Sequence, residues 1–481
     1  MFGVFAPGDD IARLIFFGLH ALQHRGQESA GIATSDGERL RLFAEMGLVT
    51  QIFDERALTG LPGTHGIGHT RYSTTGSSRL ENAQPFIVKG PHGPLAVAHN
   101  GNIVNAELLR EGLIEDGITF ETSSDTEVIA RLLVNSSAET WEQRFAQLMR
   151  RATGAYSLTI LTPGGVFAVR DPMGVRPLCI GELDDDGFVF ASETCALDHL
   201  GARFVREVEP GEVVFANEDG LTSWFPIGNR DLNVVSPQRL CLLEFIYFAR
   251  PDSRMGGQLL HPARMRMGAA LAREYPVDAD LVIGVPDSAT AAAIGYSQES
   301  GIQYAEGLMK NRYVGRTFIQ PDQRLREQGV QLKFNPLSEV IKGQRLVVVD
   351  DSIVRGTTTP RVVKMLRDAG AAEVHLRITS PPIIHPCFYG VDMASRGELI
   401  AAQKDLEGIR VHVGADSLHY LSIEGTVEAT KTGEGSHCTA CFTGDYPSEV
   451  PLELDKFALE VTEAGAARDR HALPVLERLT I

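Results

Sequence analysis

Residues 346–359 read LVVVDDSIVRGTTT, and no other stretch narrows the possible architectures of this chain as far. Leu346, Val347, Val348 and Val349 form an unbroken apolar run, the pattern of a short strand buried on both faces. The run stops at two carboxylates, Asp350 and Asp351. A loop of small and hydroxyl-bearing residues follows. Pro360 then opens a helical pattern through Val362, Val363 and Leu366 that ends at Gly370. Two consecutive acids at the end of a buried strand are costly unless something binds them. Backbone N–H groups and the hydroxyls of Thr357, Thr358 and Thr359 can take a phosphate at the positive end of the helix, and the aspartates can hold ribose hydroxyls or a Mg²⁺. The segment has no Gly-Lys-Ser/Thr and is therefore not a Walker loop. An ordinary strand-to-helix turn would leave the acids unexplained.

A chain of 481 residues is too long for one core and implies two or three domains. No apolar run approaches the roughly 18 residues of a membrane span. The opening MFGVFAPGDD has no basic region followed by an apolar stretch, so no secretory signal is expected. A formal charge of -17 argues against nucleic acid as a partner. The expectation is a cytoplasmic enzyme with neither a nucleic-acid nor a membrane partner.

Asp9 and Asp10 cap an amphipathic helix bearing Ile11, Leu14, Ile15, Gly18, Leu19 and Leu22 on one face. After it, short runs (Gly31–Ala33, Leu95–Ala98, Tyr156–Leu161) alternate with Gly/Pro/Asn turns, which predicts stacked antiparallel sheets flanked by helices. The polar stretch Gly228–Asp231 is the expected boundary. Beyond it, strands Leu281–Val285, Leu346–Val349 and Val374–Ile378 alternate with helical segments, the rhythm of a parallel sheet. The expected division is 1–229, 230–447 and a tail, 448–481, read only as peripheral and helical. Against the acidic background, Lys310, Arg312, Arg316, Arg324, Arg326 and Lys333 face only Asp322 and Glu327. With Gly315, Pro321 and Gly329 among them, they read as a mobile basic loop able to close over a polyphosphate.

The 346–359 segment resembles the signature of the type I phosphoribosyltransferases, which bind 5-phosphoribosyl 1-pyrophosphate (PRPP). From about Phe2 to about Pro447 the chain resembles the glutamine PRPP amidotransferases. That resemblance implies a two-domain protein: an N-terminal αββα sandwich of the nucleophile-hydrolase type and a C-terminal parallel-sheet phosphoribosyltransferase domain. It assigns PRPP to Asp350, Asp351, Ser352, Arg355, Gly356, Thr357 and Thr358, with Lys310 and Arg316 from the lid segment KNRYVGRTF. Ser288, just past strand Leu281–Val285, would join Asp350 and Asp351 around one Mg²⁺.

Three further clusters resemble class II glutaminases. In His69-Thr70-Arg71-Tyr72-Ser73-Thr74, the resemblance pairs Arg71 with the carboxylate of glutamine, a task suited to a planar fork of donors. In His99-Asn100-Gly101-Asn102, the Asn100 amide and the Gly101 N–H match the oxyanion hole. In Ser124-Asp125-Thr126-Glu127, Asp125 matches the acceptor for the ammonium group of glutamine. Ammonia released there would travel to PRPP inside the protein, since ammonia that leaks into water is protonated and lost.

One departure affects the chemistry. The family nucleophile is a cysteine at the mature N-terminus, within Cys-Gly-Val-Phe-Gly, whose own α-amino group serves as base. This chain reads Met1-Phe2-Gly3-Val4, so Met1 occupies the valine position and the nucleophile would lie two residues upstream; the first cysteine is Cys179. The favoured expectation is a mis-chosen start, with a GTG valine codon read as the initiator. The other is a protein that has lost glutaminase activity and uses free ammonia.

Of the six cysteines, Cys438 and Cys441 form Cys-x-x-Cys, while Cys241 and Cys387 lie far off in sequence. A pair plus two singles suits Zn²⁺ or an iron–sulfur cluster, and spacing alone does not choose. The flanking residues, such as Cys241-Leu242-Leu243-Glu244-Phe245 and Pro386-Cys387-Phe388-Tyr389-Gly390, resemble the iron–sulfur branch of the family, which implies one structural 4Fe–4S cluster on these four cysteines. Cys179 and Cys195 read as buried small hydrophobes. The implied activity is amidophosphoribosyl transfer, with purine nucleotide inhibitors and a homotetramer carried by the resemblance alone. The rivals are an ammonia-only transferase and a non-catalytic nucleotide sensor.

Overall fold

The computed structural model describes residues 1–72, 76–184, 187–227, 238–311, 333–393, 395–433, 435–450 and 459. The stretch Gly228–Asp231, most of the basic loop and nearly all of the chain beyond 450 lie outside the described residues. The chain divides into two compact units: Met1–Leu240 with Cys387–Ala394 and Tyr446–Ile481, and Cys241–Pro386 with Ser395–Asp445.

The first unit holds two antiparallel sheets. The strands of one are β1 (Phe2–Phe5), β2 (Ser29–Ser35), β3 (Leu40–Met46) and β4 (His65–Arg71), followed later by β9 (Cys179–Glu182), β10 (Phe188–Ala191) and β11 (Arg203–Glu207). The other is built from β5 (Phe86–Gly90), β6 (Gly93–Ile103), β7 (Gly154–Thr162), β8 (Gly165–Arg170), β12 (Val213–Asn217) and β13 (Gly220–Trp224). Their orders are β11-β9-β10-β1-β4-β2-β3 and β13-β12-β8-β7-β6-β5. Period-two alternation lets each sheet bury both faces. Between the sheets lie Phe5, Ile67, Ala98, Leu161, Ile180 and Phe190. On the outer side of the first sheet, Ile11, Ile15 and Leu19 of α1 (Ile11–Ala21) cover Phe2 and Val4. The Asp10 side chain caps α1 by accepting the Arg13 N–H at 3.2 Å. Outside the second sheet, Val128 and Leu133 of α2 (Asp125–Val134) pack with Val97, Leu158 and Phe167. Helix, sheet, sheet, helix is the αββα order expected.

In the second unit, β14 (Leu281–Gly284), β15 (Arg345–Asp350), β16 (Glu373–Ile378) and β17 (Ser417–Tyr420) form a parallel sheet in that order. Register aligns Gly284 with Val349, and Asp350 with Ile378, so the strands end along one edge. In open parallel sheets that edge is where ligands bind. Helices α3 (Leu260–Glu274), α4 (Thr290–Ser300), α5 (Thr359–Asp368) and α6 (Leu406–Val413) accompany the sheet. The sequence pattern recovers α5: Val362, Val363 and Leu366 are buried and Gly370 follows its end at φ +98.

Helices α3 and α4 meet backbone to backbone. A Cβ on Gly268 would lie 1.8 Å from the Ala292 carbonyl oxygen, and one on Gly295 would lie 1.9 Å from that of Met265. Neither neighbour is a flexible side chain that could swing aside. Gly268→Ala should therefore lower stability by about 3 kcal/mol, the upper range for overpacking, read as a shifted denaturant midpoint at unchanged slope. An unchanged midpoint would show that the helices separate freely.

Candidate active sites

The acidic pair lies where β15 ends. Asp350 Oδ1 accepts the Asp351 N–H at 2.9 Å, and Ser352 Oγ donates to Asp351 Oδ1 at 2.8 Å. The Ser288 hydroxyl, from the loop after β14, favours the charged form of the Asp351 carboxylate. Burial, then the charge of Asp351, holds the Asp350 carboxyl well above the ordinary 3.8. Burial also raises Asp351, although the Ser288 and Ser352 hydroxyls pull it back. Two adjacent acids that are both reluctant to ionise make a site that gains from a cation. A Mg²⁺ ion that keeps several waters and takes one or two carboxylates fits such a donor set. Beside it, Pro286, Asp287, Ser288, Tyr304 and Lys310 help line a cleft of about 370 Å³.

Beyond the acids, Gly356 is buried and has φ +66, a conformation glycine adopts without strain. Thr357 is exposed, and half-buried Thr358 precedes α5 with its side chain not engaged in capping. The hydroxyls therefore sit at the helix start without a capping task.

In the first unit, Arg71 closes β4 and is buried; its Nη1 donates to the Ser77 carbonyl at 3.0 Å and to Glu28 Oε2 at 3.4 Å. Asp125 opens α2, which Ser124 caps, and its Oδ2 accepts the Ile103 N–H of β6 at 3.0 Å. Burial pushes Asp125 upward, but His99, the Ile103 N–H and Arg71 together outweigh it and hold the carboxyl below its ordinary value. Asn100 and Gly101 lie on β6, and Asn100 Nδ2 is a buried donor with no acceptor among the described residues. Gly101 has φ +150, and a Cβ there would strike the Ala155 carbonyl oxygen at 2.0 Å. An unsatisfied amide beside a strand glycine, with a cation and an anion close by, is a site built to receive charge.

Local sequence assigns no role to the groups that hold this site. Gln84 Oε1 accepts the His99 N–H at 2.8 Å, and Gln84 Nε2 donates to Thr126 Oγ1 at 2.9 Å. His99 Nδ1 lies 3.3 Å from that hydroxyl and 3.6 Å from Asp125 Oδ2. The only local signal was a histidine directly before the Asn-Gly pair. The segment Cys387–Ala394 also returns to β6: the Phe388 carbonyl accepts Asn102 Nδ2 at 3.0 Å, and a Cβ on Gly390 would lie 2.9 Å from the Gly101 backbone.

Comparison with known proteins resolves the family. Residues 69–199 match the family model described as a glutamine amidotransferase domain. The amidophosphoribosyltransferase of Synechococcus elongatus is 51% identical over 472 residues, spanning 96% of this chain and 94% of that one. The chain belongs to the amidophosphoribosyltransferase family. That of Archaeoglobus fulgidus is 51% identical over 456 residues, spanning 94% of this chain and 98% of its own. Among solved structures, the B. subtilis glutamine PRPP amidotransferase complexed with ADP and GMP has a TM-score of 0.86 and 46% identity, covering 94% of this chain and 98% of that one. A structure described as the allosteric regulatory enzyme of purine biosynthesis has a TM-score of 0.89 at 46% identity, covering 96% of this chain and 99% of that one.

In this amidophosphoribosyltransferase fold the remaining expected residues are placed as follows. Arg355 is exposed and forks onto Glu398 Oε2 at 2.9 and 2.7 Å. Lys310 Nζ donates to Asp287 Oδ2 at 2.7 Å. Arg316 lies outside the described residues. None of the six cysteines is in a disulfide. Cys241 and Cys438 lie on the two short strands Leu240–Cys241 and His437–Cys438, which pair with each other. The Cys441 carbonyl accepts the Ile384 and His385 N–H groups at 3.0 and 3.1 Å, and Cys387 Sγ accepts the Tyr389 N–H at 3.4 Å. Among the described residues no three thiol, imidazole or carboxylate groups gather into a metal-holding set. Cys179 and Cys195 are buried in the first unit. Among the described residues no helix is long and apolar enough to cross a membrane.

Proposed function

We propose that the chain carries out the family reaction, in which glutamine, PRPP and water give 5-phosphoribosylamine, glutamate and pyrophosphate, the first step of de novo purine synthesis. The Asp350–Asp351 pair carries this reading: neighbouring carboxylates, Asp351 buried and Asp350 half-buried, held above their ordinary range beside a hydroxyl loop at a helix start. Ser288 and Ser352 orient Asp351, Asp350 and Asp351 face the cation, and the 352–358 loop receives the 5-phosphate through N–H and hydroxyl donors. Lys310, with Arg316, supplies positive charge toward pyrophosphate. When bound, Mg²⁺ supplies shielding of the departing pyrophosphate charge.

In the other unit, Arg71 takes the α-carboxylate of glutamine and Asp125 its α-ammonium, leaving the side-chain amide to Asn100 Nδ2 and the Gly101 N–H. Those two donors stabilise an oxyanion best because they do not have to move. A 4Fe–4S cluster on Cys241, Cys387, Cys438 and Cys441 rests on the resemblance of their flanking residues, as does a homotetramer. Purine nucleotide binding is supported by the ADP and GMP of the B. subtilis relative.

Pyrophosphate release from PRPP should occur with glutamine and, separately, with ammonium. Turnover with ammonium alone would select the ammonia-dependent reading. No turnover with either, but binding of PRPP or nucleotide, would select the sensor.

A further inference from the structure

The segment from Arg396 to Val413 has no role in the chemistry above, yet three of its contacts converge on the loop between the acidic pair and α5. The Ile400 N–H donates to the Val354 carbonyl at 3.0 Å. Glu398 takes the Arg355 guanidinium. His412, on α6, places Nε2 at 2.9 Å from the Gly356 carbonyl oxygen. A carbonyl can only accept, so Nε2 carries the proton and the tautomer is set. The Ile400 side chain fills the space beside Gly356, where an added Cβ would lie 2.4 Å from Ile400 Cδ1. Gly356 is thus held from its carbonyl side and its α-carbon side at the residue whose positive φ turns the chain toward the helix. A loop that receives a phosphate through backbone N–H groups works only if those groups already converge, and ordering it at binding would cost affinity.

We propose that His412 is a positioning residue, which with Ile400 presets the 352–358 loop for the phosphate of PRPP. This rests on the PRPP-binding reading of that loop. His412 itself touches no reacting atom.

The test uses the full chain with ammonium as nitrogen donor, varying PRPP at saturating Mg²⁺. His412→Phe keeps an aromatic ring without the donor, and His412→Gln keeps a donor. His412→Phe should raise KM for PRPP by about three- to tenfold, the worth of one net hydrogen bond, with kcat within about twofold, and His412→Gln should recover most of the loss. Amide hydrogen exchange across 352–358 should quicken in His412→Phe in the ligand-free protein. A His412→Phe protein with wild-type KM and exchange overturns the proposal, as does an equal defect in both variants. If the wild type itself turns over no PRPP, the functional reading fails, while the exchange comparison still decides whether His412 holds the loop.

Discussion

Replacing Asp350 and Asp351 together by asparagine should lower PRPP turnover with ammonium by about 10³-fold, the scale of losing preorganised charge stabilisation at a reacting phosphate. Asparagine keeps an acceptor oxygen for the Asp351 N–H and for Ser352 Oγ, so the strand end should survive. The same variant should be more stable than wild type without metal. Both acids hold their protons to higher pH in the folded protein than in the unfolded chain, because burial, and at Asp350 also the neighbouring charge, disfavours ionisation. Over that interval the folded state binds more protons, so stability falls as pH rises from the ordinary aspartate value of 3.8 through the raised values. Urea denaturation from pH 4 to 8 should show this decline in the wild type and a flatter profile in the double variant. Adding Mg²⁺ should restore stability to the wild type only. Unchanged turnover would remove the acids from the site.

The second large effect concerns glutamine. Asp125→Asn removes a buried charge while keeping an oxygen for the Ile103 N–H, and it should weaken glutamine binding by about 100-fold or more, as expected when one member of a buried ion pair is neutralised. His99 and Arg71 help keep this carboxyl below its ordinary value against the cost of burial, so it is charged wherever the ammonium of glutamine is. Calorimetry with glutamine measures the loss. Turnover with ammonium should stay within about twofold of wild type, since those acids belong to the other unit. Equal glutamine affinity in both proteins would show that Asp125 only ties α2 to β6.

Much of the site can be read along the chain because its signals are short-range. Four apolar residues, two acids, a small-residue loop and a proline-led helix occupy one continuous stretch, and each step follows from local preference. The clusters around Arg71, Asn100 and Asp125 are legible for the same reason, as local turns and caps. Basic residue composition alone could not show that Arg355 spends its fork on Glu398, because the partner lies 43 residues away.

By itself the sequence determined that a buried strand ends in paired carboxylates before a helix, and that two kinds of sheet share the chain. Only the tertiary structure decided what holds those groups in place. Gln84, His99 and Thr126 meet across 42 residues, Gly356 meets His412 across 56, and Asn102 meets Phe388 across 286. Periodicity records which face of an element is buried; it carries no record of which distant element arrives to bury it.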